Sequence, residues 1–309
     1  MIIHTGMRTD IPAFYSRWFV NQLREGFVLV RNPYDPGSVT RYRLTPDVVD
    51  LIGFCTKNPE PMLAHLDLLA PFGQFWHVTI TPYGREIEPR VPDKRRVLDS
   101  FRRLSDAVGA RRVGWRYDPV LLSDDYPVQR HLDAFGAMAK ALDGYTHIAV
   151  VSFIDLYEKT RRNFPQARAV AREDRLALGK AFVEIARAHG MTLYPCAEGD
   201  ELASYGADCG GCMTAAMYET ALGRRLRIPG HASARKACAC YLGGDIGAYD
   251  TCPHLCRYCY ANSDAAAVRA NFAAHDPESP LLTGHLMPGD VIREARQVSW
   301  IDGQLRMEF

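Results

Sequence analysis

The cysteines of this chain carry its clearest chemical signal. Eight of the nine lie between residues 196 and 259, and three of these, Cys252, Cys256 and Cys259, are spaced C-x3-C-x2-C in the string DTCPHLCRYCYAN. Three thiolates this close in one loop can bind three irons of a [4Fe–4S] cluster and leave the fourth iron without a protein ligand. An iron with an open position can bind a small molecule, whereas a fully ligated cluster can only transfer electrons. The spacing therefore predicts a cluster that takes part in chemistry.

A zinc ion is the main alternative for these three thiols. Zinc takes four Cys or His ligands, so His254 or a residue from elsewhere in the chain would complete the site. Zinc motifs more often contain paired C-x2-C units than this spacing, which favours the iron–sulfur cluster. Thiols without any metal are the remaining alternative.

Five further cysteines provide ligands for a second centre. Cys209 and Cys212 form a C-x2-C pair, Cys238 and Cys240 form a C-x-C pair, and Cys196 precedes both pairs. Four of these thiolates are enough for a closed [4Fe–4S] cluster or for a structural zinc ion. The spacing leaves open which four bind, and whether they bind a metal at all.

The N-terminal residues MIIHTGMRTD lack the basic and then apolar pattern of an export signal, so we expect a cytoplasmic protein. The cytosol keeps thiols reduced, which favours metal ligands over disulfides. No apolar run approaches the roughly 20 residues needed to span a bilayer, so we expect no membrane partner.

The composition is that of a globular protein, with 47% hydrophobic and 24% charged residues among 309, and it excludes a disordered or fibrous chain. The 37 Lys and Arg residues nearly balance the 36 Asp and Glu residues, which gives a formal net charge of +1. Proteins that bind phosphate backbones usually have a clear basic excess, so this balance argues against a nucleic-acid partner.

The chain before Cys196 alternates between short apolar runs and amphipathic stretches, as repeated strand–helix units do. The predicted strands are 1–4, 27–31, 51–55, 75–81, 112–117, 147–153 and 191–195, with an eighth near 245–249. Such a series predicts an α/β fold of the TIM-type (β/α) barrel class, complete or nearly so, over residues 1–280. The cysteine-rich segment 196–262 would then lie at the carboxyl end of the strands.

A doubly wound open sheet is the alternative fold. Residues 281–309 are predicted to form a tail, with a hairpin at Asp302-Gly303.

Polar residues follow most of the predicted strands. In a barrel of this class such residues gather at one end, where the active site lies. Cations beside carboxylates there suit an anionic or zwitterionic ligand. The candidates for cofactor or substrate contacts are Arg8, Asp10, Arg31, Lys57, Arg116 and Asp118.

The C-x3-C-x2-C spacing, with Tyr258 immediately before the third cysteine, resembles the motif of the radical S-adenosylmethionine enzymes. The string CxYCYAN is similar to that of the spore photoproduct lyase and DNA-repair-photolyase-like branch of this superfamily. The resemblance implies that the amino and carboxylate groups of S-adenosylmethionine chelate the open iron. It also implies that an electron from the reduced cluster cleaves the sulfonium to a 5′-deoxyadenosyl radical, which abstracts hydrogen from a substrate.

The position of the loop departs from that superfamily, in which it usually follows the first strand. In a closed barrel, however, the loop after the eighth strand would neighbour the loop after the first strand. A glycine-rich strand downstream of the cysteines, which usually receives the amino group of the cofactor, is not identifiable.

The whole chain also resembles a bacterial family of unassigned function with a C-terminal cysteine cluster like that of radical S-adenosylmethionine proteins. The matching segments are RTDIPAFYSRWF, VRNPY, TKNP, PCAE, CAC and DIGAYDTCPHLCRYCYAN. Because PCAE and CAC contain Cys196 and Cys240, the resemblance favours Cys196, Cys212, Cys238 and Cys240 as ligands of the second centre, with Cys209 as the alternative ligand. The resemblance conveys no reaction.

Two functions from different classes fit these patterns. The first is a radical S-adenosylmethionine enzyme with one [4Fe–4S] cluster or two, a small-molecule substrate, and an electron donor such as ferredoxin or flavodoxin. The second is a non-enzymatic module that holds zinc or electron-transfer clusters. DNA photolesion repair is a third possibility that rests on CxYCYAN alone, and the near-neutral net charge argues against it.

Overall fold

The structure is a computed structural model that describes residues 1–229, 240–241 and 243–303. Strands and helices alternate over most of this length. The strands are β1 (Ile2–His4), β2 (Phe27–Asn32), β3 (Asp35–Arg43), β4 (Leu51–Thr56), β5 (Gly73–Thr79), β6 (Val113–Val120), β7 (Ile148–Phe153), β8 (Thr192–Pro195), β9 (Gly244–Asp245) and β10 (Val291–Glu294). The helices are α1 (Ile11–Phe14), α2 (Ser16–Glu25), α3 (Glu60–Leu63), α4 (Leu66–Leu69), α5 (Lys94–Val108), α6 (Val128–Ala141), α7 (Glu158–Asn163), α8 (Arg172–Ala188), α9 (Ala215–Leu222) and α10 (Ala265–Ala273).

Seven strands form one parallel sheet in the order β8-β7-β6-β5-β4-β1-β9. The order of strands proceeds in one direction from β1 to β8. β9 pairs with the other side of β1, as the last strand of a barrel does. Within the described residues β8 and β9 are the two edges of the sheet. The prediction of a parallel α/β sheet is therefore confirmed, while a closed barrel is not seen in this part of the chain.

The predicted strand 27–31 exists as β2, but its assignment to the main sheet is wrong. β2 pairs antiparallel with β3 in a separate three-stranded sheet, and β10 of the tail pairs with β3 in parallel. The reason is the short connection, since only two residues separate β2 from β3 and a parallel crossover needs a dozen or more. The turn residues of NPYDPG mark this hairpin in the sequence.

The β10 strand of the tail is therefore part of the second sheet. The residues that would form the second arm of the predicted hairpin at Asp302-Gly303 lie outside the described residues. The Asp302 N–H instead donates to the Arg225 carbonyl oxygen at 2.9 Å.

The two faces of the main sheet are covered by different parts of the chain. Side chains alternate between the faces along each strand, so Trp76 points to one face and Phe75 to the other. Trp76 stacks on Phe54 at 3.7 Å and belongs to the large core beneath α5, α6 and α8. Phe75 packs edge-on against Tyr218 of α9, at 5.6 Å between ring centres. The helix α9 thus fills the face that would be the interior of a barrel.

No helix among the described residues is both long and apolar enough to cross a membrane.

The contact of α9 with the sheet predicts a large effect of one substitution. Tyr218 has no exposed surface, so Tyr218→Ala leaves a cavity between α9 and β5. We expect it to lower the free energy of unfolding by about 3–5 kcal/mol, measured by urea titration. Tyr34→Ala is the control, because Tyr34 is 88% exposed, and it should change stability by less than about 0.5 kcal/mol. Equal effects of the two substitutions would contradict this packing.

Candidate functional site

The loop that contains Cys252, Cys256 and Cys259 begins beside the first strand of the main sheet. β9 pairs in parallel with β1, and the N–H of Ile246 extends this pairing by donating to the His4 carbonyl oxygen at 3.0 Å. Because the two strands are neighbours and run in the same direction, the loop that follows β9 lies at the carboxyl end of the sheet. This is the end at which α/β proteins of this kind bind their ligands.

Hydrogen bonds between its two ends hold the loop in shape. The side-chain amide of Asn262 donates to the Cys252 carbonyl oxygen at 2.9 Å, and the Asp250 carboxylate accepts from the backbone N–H and the hydroxyl of Ser263. Asp250, just before the first of the three cysteines, and Leu255, just before the second, have φ of 56° and 57°, which lets the chain turn sharply at both positions. The positions of the thiols are therefore fixed by the loop itself.

The three thiols of the loop lie in a buried environment, and Cys256 is only 8% exposed. Burial raises the pKa of each thiol, that of Cys256 to about 12. None of the three forms a disulfide. Thiols of this kind lose their protons when they bind a metal.

Asp10 ties the loop to the start of the chain. Its carboxylate caps α1 by accepting from the Ala13 N–H at 3.1 Å, and it also accepts from the Lys57 N–H at 2.8 Å. The same carboxylate lies 3.0 Å from Nε2 of His254, whose Nδ1 lies 3.3 Å from the Arg90 carbonyl oxygen. Both ring nitrogens of His254 are therefore engaged, and neither is free to bind a metal beside the thiols.

Glu88 binds the other end of the loop, at Tyr258. Its role was not predicted from the sequence. Its fully buried carboxylate accepts hydrogen bonds from Lys57 at 2.8 Å, from Thr81 at 2.7 Å, from Lys94 and from the hydroxyl of Tyr258. Burial alone would raise the pKa of Glu88, but the two lysines outweigh it and hold the pKa at about 2. The residue before the third cysteine is thus fixed by an ionised carboxylate.

Lys57 connects these two anchors. Its backbone binds Asp10, its ammonium binds Glu88, and Nζ lies 5.5 Å from the ring centre of Tyr258. Burial by itself lowers the pKa of the Lys57 ammonium, but Glu88 and Cys256 raise it above its usual value. A buried cation therefore lies on the thiol side of the loop.

A second group of thiols lies on the α9 side of the sheet. The sulfur of Cys212 lies 3.4 Å from that of Cys196 and 3.5 Å from that of Cys240. Cys209 is not part of this contact, and its thiol lies beside the backbone of residues 202–203 instead. Cys238, the fourth predicted ligand, lies outside the described residues. The structure therefore brings together the three described members of the favoured ligand set.

Arg116 of β6 binds this second group. Its Nη1 lies 3.4 Å from the Cys212 sulfur and its Nη2 lies 3.6 Å from the Cys196 sulfur. Its Nε donates to Asp118 at 3.0 Å, and Asp118 also accepts from the hydroxyl of Ser152. Burial by itself would lower the pKa of Arg116, but Asp118 and the sulfurs raise it well above its usual value.

The other two predicted contact residues have separate roles. Arg8 binds the carboxylate of Asp245 in β9 at 2.5 Å and so supports the pairing of β9 with β1. Arg31 lies in the second sheet, where its two Nη atoms bind Asp290 of the tail at 2.6 and 2.7 Å. Arg31 is not brought to the carboxyl end of the main sheet, because β2 is a hairpin strand outside that sheet.

The described residues contain no set of three His, Cys, Asp or Glu side chains that already stands around a position for a single metal ion. Cys252, Cys256 and Cys259 form the first thiol group, and the second is a contact of three sulfurs centred on Cys212. Any metal in either group therefore requires thiols to be deprotonated and drawn to it.

Comparison with known proteins gives one match. A family model described as a domain of unknown function, DUF1848, matches residues 2–261. No curated protein and no solved structure matches the chain.

The buried Glu88 network generates a prediction with a definite pH dependence. Glu88→Gln leaves Lys57 and Lys94 buried without a counter-charge, so it should lower the free energy of unfolding by about 3–5 kcal/mol at neutral pH. The pKa of Glu88 in the folded protein is about 2, below its usual 4.5. Its contribution is therefore complete above pH 4.5 and is lost as the pH falls towards 2. The difference between the two proteins should shrink over that range.

The measurement is urea unfolding of both proteins in the same metal state at a series of pH values. Glu184→Gln is the control, because Glu184 is exposed on α8. A cost for Glu88→Gln no larger than that of the control, or a cost that grows as the pH falls, would contradict the network.

Proposed function

This chain belongs to the DUF1848 family, a family defined by a domain of unknown function, and we propose that it is an iron–sulfur enzyme of the radical S-adenosylmethionine type. In this proposal Cys252, Cys256 and Cys259 bind a [4Fe–4S] cluster with one open iron, and the substrate is a small molecule. The observation that carries the proposal is the fixed C-x3-C-x2-C loop at the carboxyl end of a parallel sheet.

The residues of the loop suit the cluster better than they suit zinc. The loop supplies three free thiols, which is the number that a [4Fe–4S] cluster with one open iron requires, whereas zinc takes four Cys or His ligands. A zinc site completed by His254 would have to break its contacts with Asp10 and Arg90.

A cluster held by Cys252, Cys256 and Cys259 would supply the chemistry of one-electron reductive cleavage of S-adenosylmethionine. The protein's own residues position the reactants and exclude water. Asp10 and Glu88 hold the two sides of the loop, which keeps the thiols in one arrangement. Lys57 supplies positive charge beside Cys256 and is suited to a carboxylate of the cofactor or of the substrate.

Two partly exposed tyrosines lie at the end of the cysteine loop. Tyr260 follows the third cysteine, donates from its hydroxyl to the Met7 carbonyl oxygen at 2.5 Å, and lies 6.0 Å from the ring of Tyr157. Both rings are about two-fifths exposed, at 41% and 38%. We assign them the role of covering the cluster from solvent while leaving room for a small substrate. An external donor such as ferredoxin or flavodoxin would supply the electron.

The competing functions make different predictions for the same protein. A non-enzymatic module would hold zinc or closed clusters and would not react with S-adenosylmethionine. DNA photolesion repair would require a basic surface for the backbone, which the net charge of +1 does not favour.

The proposal is tested by anaerobic purification, reconstitution with iron and sulfide, and reduction in the presence of S-adenosylmethionine. We expect 5′-deoxyadenosine as a product and a change in the EPR signal of the reduced cluster when S-adenosylmethionine is added. Cys256→Ala should lose both signals, because it removes one of the three cluster ligands. Cys209→Ala is the matched control and should retain both signals, because the Cys209 thiol lies beside the backbone of residues 202–203 and belongs to neither group of thiols. A reconstituted cluster that leaves S-adenosylmethionine intact would rule out the enzyme.

A further inference from the structure

The second thiol group, Cys196, Cys212 and Cys240, has short distances between its sulfurs. Cys212 contacts Cys196 at 3.4 Å and Cys240 at 3.5 Å. A tetrahedral zinc ion with Zn–S bonds of about 2.3 Å holds its sulfurs about 3.8 Å apart. The cysteines of a [4Fe–4S] cluster each bind a different iron and are held farther apart. The three sulfurs of this group are thus close enough together to reach a single ion.

The surroundings of the group are suited to bound thiolates. Arg116 directs two of its N–H groups at the sulfurs of Cys212 and Cys196. Asp118 balances the charge of this buried guanidinium, so Arg116 is stable with neutral thiols as well. Several thiolates on a divalent ion would carry a net negative charge, and these N–H groups are placed to donate to their sulfurs.

The position of the group gives such an ion a structural role. Cys196 directly follows β8, one edge of the main sheet, and Cys240 shortly precedes β9, the other edge. Cys212 lies between them in the chain that leads into α9. The three sulfurs therefore connect the two edges that no strand pairing joins within the described residues.

We propose that Cys196, Cys212 and Cys240 bind one zinc ion, which links the β8 edge of the sheet to the segment that enters β9. Structural zinc sites have four Cys or His ligands, so one further ligand would complete the tetrahedron that these three thiolates begin, and zinc needs no sulfide. The ion is separate from the cluster proposed at Cys252, Cys256 and Cys259. Zinc binding displaces the thiol protons to solvent and involves no change of oxidation state.

The test uses full-length protein in which the first group is removed by Cys252→Ala, Cys256→Ala and Cys259→Ala together. We expect this variant, purified anaerobically and dialysed, to retain about one zinc per chain with Zn–S distances near 2.3 Å in X-ray absorption. It should contain no iron and no acid-labile sulfide. Iron in this variant, with or without sulfide, would overturn the proposal, and so would a folded variant with reactive thiols and no metal.

Single substitutions in the same background identify the ligands. Cys212→Ser should lose the zinc, whereas Cys209→Ser and Cys55→Ser should retain it. Retention of zinc by a folded Cys212→Ser variant would contradict the assignment. If Cys212→Ser does not fold, the X-ray absorption spectrum of the parent variant decides, because it reports sulfur ligands directly.

The contribution of Arg116 gives an independent prediction. Arg116→Gln removes the positive charge that faces the sulfurs, so we expect its zinc affinity to fall by about 10-fold to 100-fold. Competition with a chromophoric chelator measures this, and Arg116→Lys should recover part of the loss. An unchanged affinity in Arg116→Gln would show that the guanidinium does not balance a metal–thiolate centre.

Discussion

The pairing of two residues, Gly244 and Asp245, with β1 determines where the cysteine loop lies. β9 lies some 240 residues after β1 in the sequence and pairs with it in parallel. This close approach requires glycine at position 243, because a Cβ on Gly243 would lie 1.9 Å from the Ile2 carbonyl oxygen. Arg8 reinforces the pairing through the Asp245 carboxylate. This pairing places the loop that follows β9, with its three thiols, at the carboxyl end of the main sheet.

Buried charged side chains then hold the cysteine loop against the ends of the earlier strands. The carboxylates of Asp10 and Glu88 accept hydrogen bonds from the cysteine loop and from residues at the ends of earlier strands. Lys57 binds both, and Arg116 performs a similar task for the second thiol group. Buried ion pairs add little net stability, but breaking one is costly. They therefore specify one arrangement of the loops around two thiol groups.

The sequence was sufficient for the parallel sheet, because its strands are short apolar runs separated by amphipathic helices. The sequence did not show that β2 lies outside the main sheet, since an apolar run such as FVLV occurs both in hairpin strands and in central strands. The meeting of Cys196, Cys212 and Cys240 was suggested by cysteine spacing and family segments. The role of Glu88 was not predictable, because a single acidic residue in a loop gives no periodic signal and its partners are distant in sequence.

The central claim is that the first thiol group leaves one iron of a cluster open to an exchangeable ligand. Mössbauer spectroscopy of anaerobically prepared, iron-enriched protein tests it directly, because it distinguishes individual iron sites. The account predicts the spectrum of a [4Fe–4S] cluster in which one iron changes its parameters when S-adenosylmethionine is added. A spectrum in which all irons are equivalent and unaffected by S-adenosylmethionine would contradict it.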